Sequence, residues 1–139
     1  MIGINELAKE IHENAVEHGW WDEKRGFPEV LALIHSEVSE ALEEYRNGHT
    51  AEEIYYTNSK CTESGGVCVP DAADECPNDP RSCGAFERGK PEGIPIELAD
   101  VIIRILDYCG YAGIDIEAAI RQKHEYNKSR PYRHGGKKC

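Results

Sequence analysis

No run of 18 or more apolar residues occurs in this 139-residue chain, so nothing in it is long enough to span a membrane as a helix. Positive charge is scarce as well. Sixteen Lys and Arg stand against 26 Asp and Glu, a net charge of −10, which argues against a general binder of nucleic-acid polymers. The opening "MIGINELAKEIHENAV" lacks the apolar core of a secretion signal, so a cytoplasmic location is expected. There are six cysteines but no tight C-x2–4-C pair. The clustered four, Cys61, Cys68, Cys76 and Cys83, are spaced C-x6-C-x7-C-x6-C, unlike the usual tetrahedral zinc site. Metal, disulfide and free-thiol readings of that segment all stay open. Strand signals are nearly absent and no internal repeat occurs, so an all-α fold is expected, a bundle of four main helices in a single domain over residues 1–139.

The charge that is present is unevenly spread. From Arg121 to Cys139 there are seven Lys or Arg and one Glu, a local +6, which leaves −16 on the first 120 residues. An acidic body with a basic tail suits an anionic small molecule bound through a cation.

Helical periodicity marks the elements. The first helix is expected from about Asn5 to His18, with Leu7, Ile11 and Ala15 on one face. "HGWWDEKRG" follows as a loop holding Trp20 and Trp21. Pro28 suits the first turn of the second helix, for which Leu31, Ile34, Val38, Ala41 or Leu42, and Tyr45 are expected to form the buried stripe, with Gly48 as its stop. "TAEE", Thr50 to Glu53, fits a capping box and predicts a short helix through Tyr56. Residues from about 60 to 93, rich in Gly, Pro, Asp and Cys, are expected as a loop insert between the second and third helices. The third helix is expected from Pro95 to about Cys109, with a turn around Gly110 and Gly113. Asp115 caps the fourth, which runs to about Ser129, and Pro131 opens a basic tail over residues 131–139.

The carboxylates carry the chemistry. On a helical wheel Glu37, Glu40 and Glu44 fall within about 60° of one another and border the apolar stripe. Glu97 and Asp100 stand beside Leu98 and Val101 on the run "IPIELADVIIRILDYC", which is apolar on almost every side. Solvated faces are scarce on such a helix. Packing the two apolar faces together would bring Glu37, Glu40, Glu97 and Asp100 to one edge. Four acids at the edge of a core repel unless a cation joins them, and an all-oxygen set suits Mg²⁺ or Mn²⁺. The plainer alternative is a solvated face with ion pairs, such as Asp100 with Arg104 one turn on. The third helix is expected to be buried except along Glu97, Asp100 and Arg104, with Ile103 turned to a second subunit. Cys109 reads as a small buried apolar residue.

"HSEVSEALEEYRNG" and "GIPIELADVIIRILDYCGYAGID" resemble the MazG-like branch of the all-α nucleoside triphosphate pyrophosphohydrolases, whose signature is E-x-x-E on one helix and E-x-x-D on the next. Here these are Glu37-x-x-Glu40 and Glu97-x-x-Asp100. The resemblance covers 31–48 and 93–130. It departs from the family at Ser36, where a further acid often stands, and in the long insert. It implies a MazG-type fold and Mg²⁺-dependent hydrolysis of a nucleoside triphosphate between the α- and β-phosphates, with Glu37 or Glu40 activating the water. A phosphoribosyl-ATP pyrophosphatase shares the wider architecture and is an alternative. A non-catalytic nucleotide-sensing module with a cysteine switch is another. The resemblance also implies that Lys123, Asn127 and Arg130, which share one helix face, meet substrate. A base could stack on Trp20 or Trp21, unless these plug the ends of the bundle. The expected role is removal of unwanted nucleotides by a homodimer or homotetramer, because one bundle hardly covers the third helix.

Overall fold

A computed structural model describes residues 2–57, 60–61 and 86–131 of the chain. Four helices dominate: α1 (Ile4–Glu17), α2 (Phe27–Arg46), α3 (Ile94–Ala112) and α4 (Ile116–Ser129). Four short strands lie between α2 and α3: β1 (Tyr55–Thr57), β2 (Lys60–Cys61), β3 (Phe86–Glu87) and β4 (Lys90–Glu92). No described helix is long and apolar enough to cross a membrane. The chain divides into two compact units. The described residues of Met1–Ile34 and Ile102–Cys139 form the first, and those of His35–Val101 the second.

In the first unit, α4 begins where the sequence predicts. Asp115 accepts the backbone N–H of Ala118 at 2.9 Å, which satisfies one of the orphan donors of a helix start. Asn5 of α1 completes that cap. Its amide donates to Asp115 at 2.7 Å and its oxygen accepts the N–H of Glu117 at 3.1 Å. These bonds to the ionised form hold the Asp115 carboxyl below the usual range, the Asn5 bond foremost. The expected turn at Gly110 is absent: α3 runs through it to Ala112 and turns at Gly113, whose φ is 67°. Gly110 is there for close approach. A Cβ on it would stand 2.6 Å from His12 Cβ and 2.7 Å from the Ala8 carbonyl oxygen.

In the second unit, the predicted helix over Thr50–Tyr56 is replaced by a turn and a strand. The local contacts of the capping box do form, with the Thr50 N–H donating to Glu53 Oε2 at 3.2 Å. The residues that follow are Ile54, Tyr55, Tyr56 and Thr57, β-branched and aromatic types that favour a pleated, half-buried surface. β1 pairs antiparallel with β4, setting Tyr55 opposite Glu92, Tyr56 opposite Pro91 and Thr57 opposite Lys90. β2 pairs antiparallel with β3, with Lys60 opposite Glu87. Part of the expected loop is therefore two ladders. Gly93 joins β4 to α3 at φ 117°, 2.3 Å from the Glu53 carbonyl oxygen at the point where a Cβ would stand. Only glycine meets both conditions without strain.

The buried face of α2 keeps only Ile34 and Ala41 of the expected stripe. Val30, Leu33, Ile34, Glu37, Ala41 and Glu44 are the residues withdrawn from solvent, while Leu31, Val38, Leu42 and Tyr45 of the predicted stripe are exposed, as is His35. On α3, Glu97, Leu106 and Cys109 are buried, whereas Leu98, Ile102, Ile103 and Ile105 are exposed. The expectation that this helix buries its isoleucines and leaves its acids on the open strip is reversed at Glu97. The reason is competition: both helices carry apolar residues on more than one side, and one chain has too few partners to cover them all. Among the described residues the buried apolar core is only Ala8, Val30, Leu106 and Cys109. Burial pushes the Cys109 thiol pKa up, as its reading as a packing residue requires.

Candidate functional site

The second unit gathers the acids. Glu37 and Glu40 are three apart on α2, and Glu97 lies in the first turn of α3, its N–H bonded to the Gly93 carbonyl at 3.1 Å. Each offers a carboxylate oxygen, and these oxygens all lie within 4.8 Å of one another. Ligands across an octahedral Mg²⁺ ion at about 2.1 Å each are roughly 4.2 Å apart, a separation of the same order, so the three residues could hold such an ion after a small closure. Glu37 and Glu97 are only 5% and 4% exposed, and Glu40 is open to solvent. Asp100, one turn along α3, stands outside the three-residue cluster but close enough for its charge to act on Glu97.

The Glu97 carboxyl is pushed above its usual pKa, first by burial and then by Glu40, Asp100 and Glu37, while Lys90 opposes them. Two physical effects thus act together on the charged form: lost hydration and like-charge repulsion. A divalent cation relieves both. The donor set is all oxygen, which fits Mg²⁺ or Mn²⁺ and gives soft metals no thiolate. Glu37, Glu40 and Glu97 would hold the ion, with Asp100 beside them.

Glu44 shares the sector of Glu37 and Glu40 but is otherwise engaged. The Tyr55 hydroxyl donates to both its oxygens at 3.1 Å. His49, stacked on Tyr55 with ring centroids 4.7 Å apart, lies 3.7 Å from Glu44 and 3.1 Å from Glu53. This network ties the turn after α2 to β1 and separates Glu44 from the metal-binding candidates.

The other predicted site residues belong to the first unit. Trp21 packs face to face on Tyr111, centroids 4.2 Å apart and planes 15° off parallel, and His12 meets its edge. Its indole N–H donates to both oxygens of Asp107, at 3.0 and 3.1 Å, and His12 Nδ1 lies 2.7 Å from Asp107 Oδ1. Trp21 is thus built into the framework, one ring face already taken by Tyr111. Trp20 is 47% exposed, with the guanidinium carbons of Arg25 and Arg104 at 5.9 and 5.4 Å from its ring. A cavity of about 20 Å³ opens beside Trp20, Trp21, Arg104 and Asp107, room for about one water. Lys123 of α4 and Arg130 just past its end converge on the exposed ring of Tyr126, at 4.9 and 5.9 Å, and the Asn127 carbonyl accepts the Arg130 N–H at 3.2 Å.

Two residues that bear on the acid cluster were not singled out from sequence, Lys90 and Glu92. Both lie in the Gly- and Pro-rich stretch, where no periodicity exists to place a side chain. The one available signal was position, since "KPEG" immediately precedes α3. The side chains of Cys61, Cys68, Cys76 and Cys83, and the tail residues Arg133 and His134, lie outside what the structure describes. No protein-family model, curated protein or solved structure matches this chain.

Proposed function

We propose that the chain is a Mg²⁺-dependent nucleotide pyrophosphohydrolase of MazG-like type, cleaving a nucleoside triphosphate to a monophosphate and pyrophosphate. The observation that carries this reading is the cluster of Glu37, Glu40 and Glu97, two of them buried, with Asp100 adding its charge. Like charges gathered at such a place repel one another, and a divalent ion would relieve that repulsion.

A bound Mg²⁺ supplies charge neutralisation for the phosphates and a water of lowered pKa. Glu37 and Glu97, buried and held on helices, keep their carboxylates in place for it. Glu40 is the exposed member of the cluster, so its oxygens are the ones that solvent water reaches, and it is the general base of this proposal. Lys123, Arg130 and Asn127 are assigned to the substrate's phosphates and sugar by the resemblance alone, and Trp20, half exposed, is the candidate to stack on its base.

The same proposal includes a homodimer or homotetramer. Val38, Leu42 and Tyr45 of α2 are 48%, 48% and 69% exposed, and Leu98 of α3 is 49% exposed. Apolar side chains in such number are rare on a monomer surface, and a second copy of this chain is the partner that would cover them. The deciding test is release of pyrophosphate from a panel of nucleoside triphosphates with Mg²⁺ and with EDTA. Magnesium-dependent release supports the reading, and a chain that binds nucleotides without hydrolysing any of them refutes it.

A further inference from the structure

We infer that Lys90 is a phosphate-binding residue of the carboxylate site, positioned by Glu92, for the polyphosphate chain of an anionic substrate. This rests on the hydrolase reading above and adds to it a cation from outside both helices of the acidic signature.

Lys90 lies on β4, four residues ahead of the first residue of α3. Its register is fixed by pairing opposite Thr57 of β1. Its ammonium spans the carboxylate of Glu92, 3.1 Å from each oxygen. Glu92 is itself held, since the Thr57 hydroxyl donates to its Oε1 at 3.2 Å. The exposures differ sharply, 18% for the Glu92 side chain and 63% for that of Lys90. The carboxylate is the withdrawn anchor, and the ammonium projects to where a ligand can reach it. Its charge acts beyond Glu92, on Glu97 and on Glu40.

The consequence follows from charge balance. With no ion bound, Lys90 offsets part of the negative field of the cluster. When a divalent ion neutralises Glu37, Glu40 and Glu97, that demand on the ammonium falls, and its field is left for an incoming anion. An ammonium has three donors, and Glu92 presents it with two oxygens, so a proton remains to give to a phosphate oxygen. A preorganised cation beside a metal-binding cluster is the arrangement that phosphoryl chemistry uses to stabilise charge on non-bridging and leaving oxygens. Glu92 acts only through Lys90 and is a positioning residue.

The experiment compares wild type, Lys90→Gln, Lys90→Arg, Glu92→Gln and, as a control, Arg88→Gln. Arg88 is a neighbouring cation held on Tyr56, 5.1 Å from its ring. Mn²⁺ binding without nucleotide is measured by calorimetry, and hydrolysis by pyrophosphate release. Lys90→Gln is expected to raise KM for the triphosphate by about 10- to 100-fold, with Mn²⁺ affinity unchanged or tighter because a competing cation is gone. Lys90→Arg should recover much of the loss, Glu92→Gln should show a smaller rise in KM, and Arg88→Gln should change KM less than threefold. A residue that merely pins β4 would instead lower the melting temperature and Mn²⁺ affinity while leaving KM unmoved. An unchanged KM in Lys90→Gln with an active wild type overturns this inference alone, and an equal rise in Arg88→Gln reduces it to unspecific attraction and also overturns it. If the wild type shows no metal-dependent hydrolysis, the hydrolase reading fails. Binding of inorganic tripolyphosphate to the Mn²⁺-treated wild type and Lys90→Gln proteins then decides the role of Lys90, with equal affinity counting against it.

Discussion

The carboxylates of Glu37 and Glu97 approach within 4.8 Å of each other across α2 and α3, and each belongs to a residue no more than 5% exposed. Two buried acids at that separation repel when both are ionised, and a cation bound between them, as proposed here, would relieve that repulsion.

Glu97→Gln and Asp100→Asn are therefore expected to abolish pyrophosphate release. The same changes should leave metal-free stability unchanged or raise it by up to about 1 kcal/mol, as repulsion falls. Activity assays and thermal melts in EDTA check both halves, and full activity in both variants would remove the site.

The stability of the metal-free protein should fall with rising pH through the Glu97 titration. Burial and neighbouring acids raise its folded pKa above 4.5, so over that window the folded state binds more protons than the unfolded one. Stability then declines as pH climbs from about 4.5 through the folded pKa. The signature is a melting temperature in EDTA that drops over this window in wild type, less so in Glu97→Gln, and less so when Mg²⁺ is added.

Gly93→Ala should damage the site from a distance. The new methyl would meet the Glu53 carbonyl at 2.3 Å and would sit at φ 117°, where a side chain is strained. The first turn of α3, which carries Glu97, is expected to shift. A loss of about 2 kcal/mol or more in stability together with at least tenfold weaker Mn²⁺ binding is the expected result of melts and calorimetry.

Replacing Cys61, Cys68, Cys76 and Cys83 together by Ser should leave hydrolysis intact, because every residue of the acidic cluster lies outside that segment. Loss of nucleotide binding in a variant with a wild-type circular dichroism spectrum would show instead that the insert builds part of the site.

A charge on the exposed apolar faces should impair assembly. Val38→Lys and Ile103→Lys alter side chains that are 48% and 43% exposed in the single chain, so neither disturbs its own core. Light scattering should show both shifting toward monomer, with turnover falling if the site needs the oligomer. A wild type that is monomeric and active at micromolar concentration would refute the assembly.

The sequence was sufficient for the four main helices and for bringing Glu37 and Glu40 together with Glu97, because caps, prolines and the spacing of residues along a helix are local properties. Asp115 needed nothing distant to be read as a cap. Which side of α2 and α3 faces inward was not local. Both helices have apolar residues on several sides, and only the tertiary structure chose Val30, Leu33 and Glu37 over Leu31, Val38 and Tyr45. The same holds for Gly110, expected at the edge of a turn and found inside α3 at a close helix contact, and for Tyr55, drawn out of a helical pattern by pairing with Glu92. Lys90 is placed by a strand register opposite Thr57, which stands some 30 positions away in the chain. No periodicity within a short stretch encodes that distance, and so the acidic cluster was legible in the sequence while Lys90 was not.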